Sequence, residues 1–473
     1  MTRAYPRNSS RRAFLRTASL ASAAGYTAAP FALNLASVGA AAAQSASDYR
    51  ALVCVFLLGG NDHGNTVLAT DEASWQSYNF LRPGNGIGLP AVGESGGVLP
   101  INPLTPQTNR SFALHPALAP IKSLFDAGQA AVVANVGPLI EPLSKTDFRN
   151  KTGQRPPKLF SHNDQQSIWQ AYAPEGARYG WGGRMGDLFA SMNAAQTFTC
   201  MSTSGNAVWL AGQDTIPYRV SNNGATEISG LSGRLYGSTR ASELMHQIVT
   251  ESSANLFERS YAGVTQRAID AQVTLNNGMI DADSLPAVPV LPNNGGQNRL
   301  AAQLAAVARI IGGRSTLGAR RQVFYVSVGG YDFHSQQITN QGNKLAELAQ
   351  AIEHFQTLLA TPEVNAVNET TLFTASDFGR TMASNGDGTD HGWGSHHFVV
   401  GGAVNGGDIY GRFPETASDG GDDVGRGRLL PQISVDQYGA TLAKWFGVSN
   451  SMLADIFPNL GNFGSAQDLG FMA

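Results

Sequence analysis

The sequence predicts an α/β protein with a mostly parallel sheet sandwiched by helices. Three observations point there: apolar runs that do not alternate, helical patterns between them, and glycine-rich turns where the runs stop. A strand buried on both faces has no polar side, so it reads as a continuous apolar run. Arg50 to Leu58 is such a run, stopped by Gly59-Gly60. Ala130 to Val136, Gln322 to Val328, Thr371 to Thr374 and Phe398 to Val400 are further strand candidates. Helical patterns occupy Pro116 to Ala127, Ala241 to Gln272, Arg299 to Ile311 and Asn343 to Leu359. In the last of these, Leu345, Leu348, Ile352, Phe355 and Leu359 recur at the spacing that lines one helix face. Strands alternating with helices build a sheet covered on both sides. The stretch from 190 to 300 is weaker in pattern and reads as a helical or irregular insertion.

Composition bounds the function. Of 473 residues, 42% are apolar and only 14% charged, with 54 glycines, which excludes a disordered tail protein and a coiled coil. The formal net charge is −3 and no basic stripe is present, which argues against nucleic acid as a partner. Two cysteines, Cys54 and Cys200, cannot build a disulfide scaffold or a cysteine zinc cluster. Export would permit a disulfide between them, but Cys54 lies in an apolar run and reads as an inert core thiol.

Residues 1–43 read as an address. Ser10-Arg11-Arg12-Ala13-Phe14-Leu15-Arg16 resembles the twin-arginine export signature. A weakly hydrophobic stretch follows, then Gly39-Ala40-Ala41-Ala42-Ala43, small residues suited to signal-peptidase cleavage. Pro30, Asn34 and several Ser and Thr interrupt the apolar run, so no membrane span is expected there. This segment holds five arginines and no acid, so the remainder carries 27 basic and 35 acidic residues and a charge of −8. The expectation is a periplasmic or extracellular protein whose partner during export is the twin-arginine translocase.

Three strand candidates end alike. Gly59-Gly60-Asn61-Asp62-His63 follows the first; Gly329-Gly330-Tyr331-Asp332-Phe333-His334 follows Val328. Ala375-Ser376-Asp377-Phe378-Gly379-Arg380 follows Thr374, with Asp390-His391 and His396-His397 shortly after. Ligands of open parallel sheets bind beyond the carboxyl ends of the strands, so these loops are expected to converge. Mixed carboxylates and imidazoles suit zinc, manganese or iron. Each piece alone has a plainer reading, since Gly-Gly-x-Asp is often only a turn whose Asp caps a helix.

These residues, with Leu114-His115-Pro116, Phe160-Ser161-His162, Gly180-Trp181-Gly182-Gly183-Arg184, Gly388-Thr389-Asp390-His391-Gly392-Trp393-Gly394, Pro431 to Tyr438 and Trp445-Phe446-Gly447, resemble the DUF1501 family. That family is grouped with the alkaline phosphatase and sulfatase superfamily. The resemblance implies an alkaline phosphatase-like domain over 44–473 with a two-metal site at the carboxyl edge of the sheet. It implies metal ligands at Asp62, Asp332, His334, Asp377 and His391, with Asp390 as an alternative. Phe378 stands where the superfamily pattern expects a histidine, which leaves the second metal one ligand short. The cofactor expectation is therefore one or two divalent ions, zinc or manganese.

Ser161 opens an apparent helix, where free backbone N–H groups favour an anion, and is the nucleophile candidate. It reads equally as a helix cap, with Asp164 completing a capping-box-like turn. Neither cysteine lies in the context of a formylglycine sulfatase. Arg184 and Arg380 are candidates for gripping a substrate anion, or for structural ion pairs. Two functions follow. One is an exported metal-dependent hydrolase of phosphate or sulfate esters, small or polymeric. The other is a non-catalytic exported binding or cell-envelope assembly protein with a degenerate metal site.

Overall fold

The computed structural model describes residues 49–465 and 467–473. The twin-arginine segment at 1–43 lies outside the described residues. Nine strands form the central sheet: β1 Arg50–Leu57, β2 Ala130–Gly137, β3 Cys200–Ser202, β4 Tyr218–Arg219, β5 Arg321–Val328, β6 Thr370–Ser376, β7 Ser395–Val400, β8 Ile409–Tyr410 and β9 Ile433–Ser434. Their spatial order is β8-β2-β7-β6-β1-β5-β3-β4, with β9 pairing β2. All pairings are parallel except those of β7, which runs antiparallel to both β2 and β6. The sheet is mostly parallel, as its unbroken apolar runs predict.

The helices of eight residues or more are α1 Glu72–Leu81, α2 Ala119–Asp126, α3 His162–Ala171, α4 Trp181–Phe189, α5 Thr239–Thr250, α6 Leu256–Gly278, α7 Arg299–Gly312, α8 Gln337–Ala360 and α9 Val435–Phe446. They cover both faces. Ala51, Val53, Val55 and Leu57 of β1 share one core with Ile121 and Phe125 of α2 and the apolar stripes of α7 and α8. Leu52, Cys54 and Phe56 face the other way and pack with Trp169, Trp181, Phe189 and α9. Alternation along the strand places successive side chains in different cores, so neither set needs a polar partner. Cys54 and Cys200 are both free and buried, and burial raises both thiols.

The stretch 190–300 is only partly an insertion. β3 and β4 extend the sheet, whereas of α5 only Ser242 is buried, and Phe257 and Tyr261 of α6 lie in solvent. The single helix expected over Ala241 to Gln272 is two, because Asn255 caps a new start by accepting from the Phe257 N–H at 2.9 Å.

The reversed β7 decides where the site lies. A parallel strand would need a crossover back to the far edge. Because β7 instead starts where β6 ends, the whole connection 377–394 stays at the carboxyl edge. It folds there as a ribbon in which Arg380 to Ser384 pairs with Thr389 to His391.

Asp436, in the first turn of α9, is buried, and burial pushes its carboxyl up to about 7. Its Oδ1 accepts from Asn459 N at 2.9 Å. A carboxyl raised above its unfolded value of about 3.9 favours the fold while protonated, so that contribution is complete at low pH and lost as pH rises through about 7. Asp436→Asn is expected to flatten the fall in thermal stability between about pH 4 and 7. An unchanged Tm-against-pH curve would remove Asp436 as its cause.

Candidate metal centre

Three strand-end loops meet beside the first turn of α3. The loop after β1 comes so close to the loop after β5 that a Cβ on Gly59 would sit 2.5 Å from the Asp332 nitrogen. Gly59, at φ +116°, is therefore required by space as well as by conformation. Its N–H donates to Asp377 Oδ2 at 3.2 Å and its carbonyl accepts from Arg380 at 3.1 Å. Arg380 is fully buried. Its remaining donors go to Asp332 Oδ1 at 2.8 Å, Thr389 Oγ1 at 3.0 Å and the Thr389 carbonyl at 2.6 Å. Engaged in this way, it is the ion-pair partner of Asp332, the structural alternative of its two expected roles.

Around the Asp332 carboxylate stand three imidazoles. His334 Nε2 is 3.1 Å and His391 Nε2 3.4 Å from Oδ1, and His162 Nε2 is 3.5 Å from Oδ2. His334 Nε2 and His391 Nε2 are 3.1 Å apart. Two of the rings are held from behind: His162 Nδ1 lies 2.7 Å from Asp377 Oδ2, and His391 Nδ1 lies 2.8 Å from the Phe160 carbonyl. An acceptor behind Nδ1 fixes the proton there and turns the Nε2 lone pair inward, as metal-ligating histidines require. His334 Nδ1 is 3.7 Å from Asp390 Oδ1, beyond hydrogen-bond reach. Phe378 packs against His162 and His391, with ring centroids 4.8 and 4.7 Å away.

This donor set fits a divalent ion. Atoms about 2.0–2.2 Å from one zinc-like ion stand about 3.0–3.6 Å apart at octahedral to tetrahedral angles, which is the spacing found around Asp332. Ligating atoms of His162, Asp332 and His391 lie within 4.8 Å of one another. The electrostatics differ from group to group. Burial would raise the Asp332 carboxyl, but the hydrogen bond and charge of Arg380, with His334 and His162, hold it below its ordinary value. The Asp377 hydrogen bond raises His162, while burial lowers His391.

The other expected residues fall elsewhere. Asp62 is fully buried, and both its oxygens are taken by Arg82, at 2.6 and 2.8 Å, with Gln337 and the Gly64 N–H also donating. Burial would raise this carboxyl, but Arg82 outweighs it. Asp62 is closed as a ligand. Asp377 holds His162 from behind, and Asp390 meets Arg426 at 2.6 Å. Ser161 stands at the N-cap of α3, as its capping reading expects, but its Oγ donates to Asp164 at 2.9 Å and accepts from no helix N–H; among the described residues it makes no bond to the cluster. Arg184 donates to the Asp455 and Ile456 carbonyls at 3.3 and 3.4 Å, a packing contact away from the cluster. His162 is the ligand candidate not singled out from sequence, although it stood beside Ser161 in Phe160-Ser161-His162.

A family model described as a protein of unknown function, DUF1501, matches residues 49–425. The chain belongs to the DUF1501 family. No curated protein matches this DUF1501 chain. Among solved structures it is similar to a Bacteroides thetaiotaomicron protein described with the metabolism of multiple glycosaminoglycans, at 11% identity and a TM-score of 0.36, covering 86% of this chain and 75% of that one. It is similar to the PsFucS1 sulfatase from Pseudoalteromonas sp. at 9% identity and 0.35, covering 91% and 73%. It is also similar to the lipoteichoic acid synthase LtaP from Listeria monocytogenes at 9% and 0.31, covering 85% and 72%. At these values the fold rests on the sheet's own topology.

Two substitutions separate the carboxylates. Asp62→Ala leaves the Arg82 charge buried and alone, so it is expected to cost about 3–5 kcal/mol in chemical denaturation while the folded protein still takes up zinc. Asp377→Asn is expected to weaken zinc affinity about 10–100-fold in a chelator competition. Equal affinities in wild type and Asp377→Asn would remove Asp377 from the support of His162.

Proposed function

We propose that the protein is a metal-dependent hydrolase of phosphate or sulfate esters that works with one divalent ion, zinc or manganese. The convergence of His162, His334 and His391 on Asp332 at the carboxyl edge of the sheet carries this reading. These four residues would hold the ion, which would polarise the ester oxygens and make water acidic enough to attack near neutral pH. Asp377 and the Phe160 carbonyl keep two imidazoles oriented, so little reorganisation is needed when charge develops. Arg426 and Arg428 stand at the rim. Arg426 is half exposed on Asp390, and Arg428 donates to the His391 carbonyl at 2.9 Å while lying over the Phe160 ring. Both are suited to an incoming oxyanion.

The engagement of Ser161 with Asp164 favours water over Ser161 as the attacking group. The closure of Asp62 by Arg82, with Phe378 against the histidines, favours one ion over two. The same observation supports the second reading, a metal-holding protein without turnover that serves in binding or envelope assembly. The Ser-Arg-Arg-x-Phe-Leu-Arg sequence supports export by the twin-arginine translocase to the periplasm or beyond.

Protein loaded with zinc or manganese is expected to hydrolyse 4-nitrophenyl phosphate or 4-nitrophenyl sulfate. Asp332→Asn and His391→Ala should lower kcat/KM by about a hundredfold or more, and Ser161→Ala by less than about tenfold. Retained metal without hydrolysis of either ester would favour the non-catalytic reading.

A further inference from the structure

Next to the histidines, the carboxyl ends of β1, β3 and β5 and one side of α3 line an open pocket of about 390 Å³. It shares a wall with the centre. Gln166 lines the cavity, and its Nε2 donates to Asp377 Oδ2 at 2.9 Å, the oxygen that faces His162. Asn163, Gln170, Asn206, Tyr325 and three serines add further polar lining. Gln170 Oε1 accepts from Trp209 N at 3.1 Å, while its amide group has no protein partner among the described residues and opens to solvent. Such a donor can exchange water for a ligand acceptor. Leu58, Ala207 and Val208 add an apolar side.

The lining holds no Lys or Arg among the described residues, and its one charged group is the carboxylate of Glu175. An anion would find no cationic side chain to receive it in this lining. Amides and hydroxyls both donate and accept, which matches hydroxyl groups in the same dual role, and the volume is that of a small-ligand pocket. Arg426 and Arg428, the rim cations, are not in this wall. The charged and neutral ends of an ester therefore have separate surfaces.

We propose that the cavity binds the alcohol portion of the substrate and that this portion is a neutral polyhydroxylated group, one or two sugar residues. The assignment to substrate rests on the hydrolase reading, but the cavity can be tested without it. Full-length protein stripped of metal is titrated calorimetrically with maltotriose, cellotriose, triacetylchitotriose, a sulfated disaccharide and triglycine. At least one neutral trisaccharide should bind, more tightly than the sulfated sugar or the peptide. Ala207→Trp, which fills the cavity, and Gln170→Glu, which keeps the acceptor for Trp209, should each weaken that binding about tenfold or more. Asn163→Ala, on the exposed side of α3, gives a third reading should the tryptophan variant fail to fold. Binding of no neutral sugar, tighter binding of triglycine or the sulfated sugar, or indifference to the folded variants would overturn the proposal. Retention of zinc and manganese is measured separately on the same preparations before metal is removed. Sugar binding without retention of either ion would sink the hydrolase reading alone, and metal retention without sugar binding would sink only this one.

Discussion

A guanidinium sealed from water must have its charge and its donors met inside the protein. Arg380 meets that demand by drawing together the loop after β1, through the Gly59 carbonyl, the loop after β5, through Asp332, and its own ribbon, through Thr389. Thr389 passes its hydrogen to Gln337, and Gln337 donates to Asp62, which is paired with Arg82. One buried chain of polar contacts thus runs from the open carboxylate to the closed one. Removing any member leaves a buried group unsatisfied, which is why such networks rigidify what surrounds them. The imidazoles stand on this base.

The two acid–arginine pairs show how the same chemistry is used in two ways. Asp62 gives both oxygens to Arg82 and disappears into the interior. Asp332 gives only Oδ1 to Arg380 and stays partly open, with its other edge toward His162. Full bidentate pairing fixes structure; single pairing orients a carboxylate and leaves it able to bind.

Much of the frame was legible. The apolar runs marked β1, β2, β5, β6 and β7 because burial on both faces leaves a signature that needs no partner to read. The direction of β7 was not legible, since a run apolar on both faces looks the same either way. Nor were β3 and β4, too short to establish a pattern. At the site, Asp332, His334 and His391 announced themselves as acids and histidines at strand ends. Asp62 looked identical to them in sequence; what closes it is Arg82, twenty residues away, with no local mark. Arg184 belonged to a glycine-rich motif whose purpose is helix packing, and His162 was overshadowed by the serine before it.

The reversed strand also has a consequence for how such a centre changes over time. Asp377, Arg380, Asp390 and His391 all arrive on a single excursion of the chain that leaves the sheet and re-enters it at the same edge. That excursion is a cassette. Exchanging it would rewrite one ligand, one ring support and the buried cation together, while every strand kept its neighbours and no part of the polypeptide had to be rethreaded.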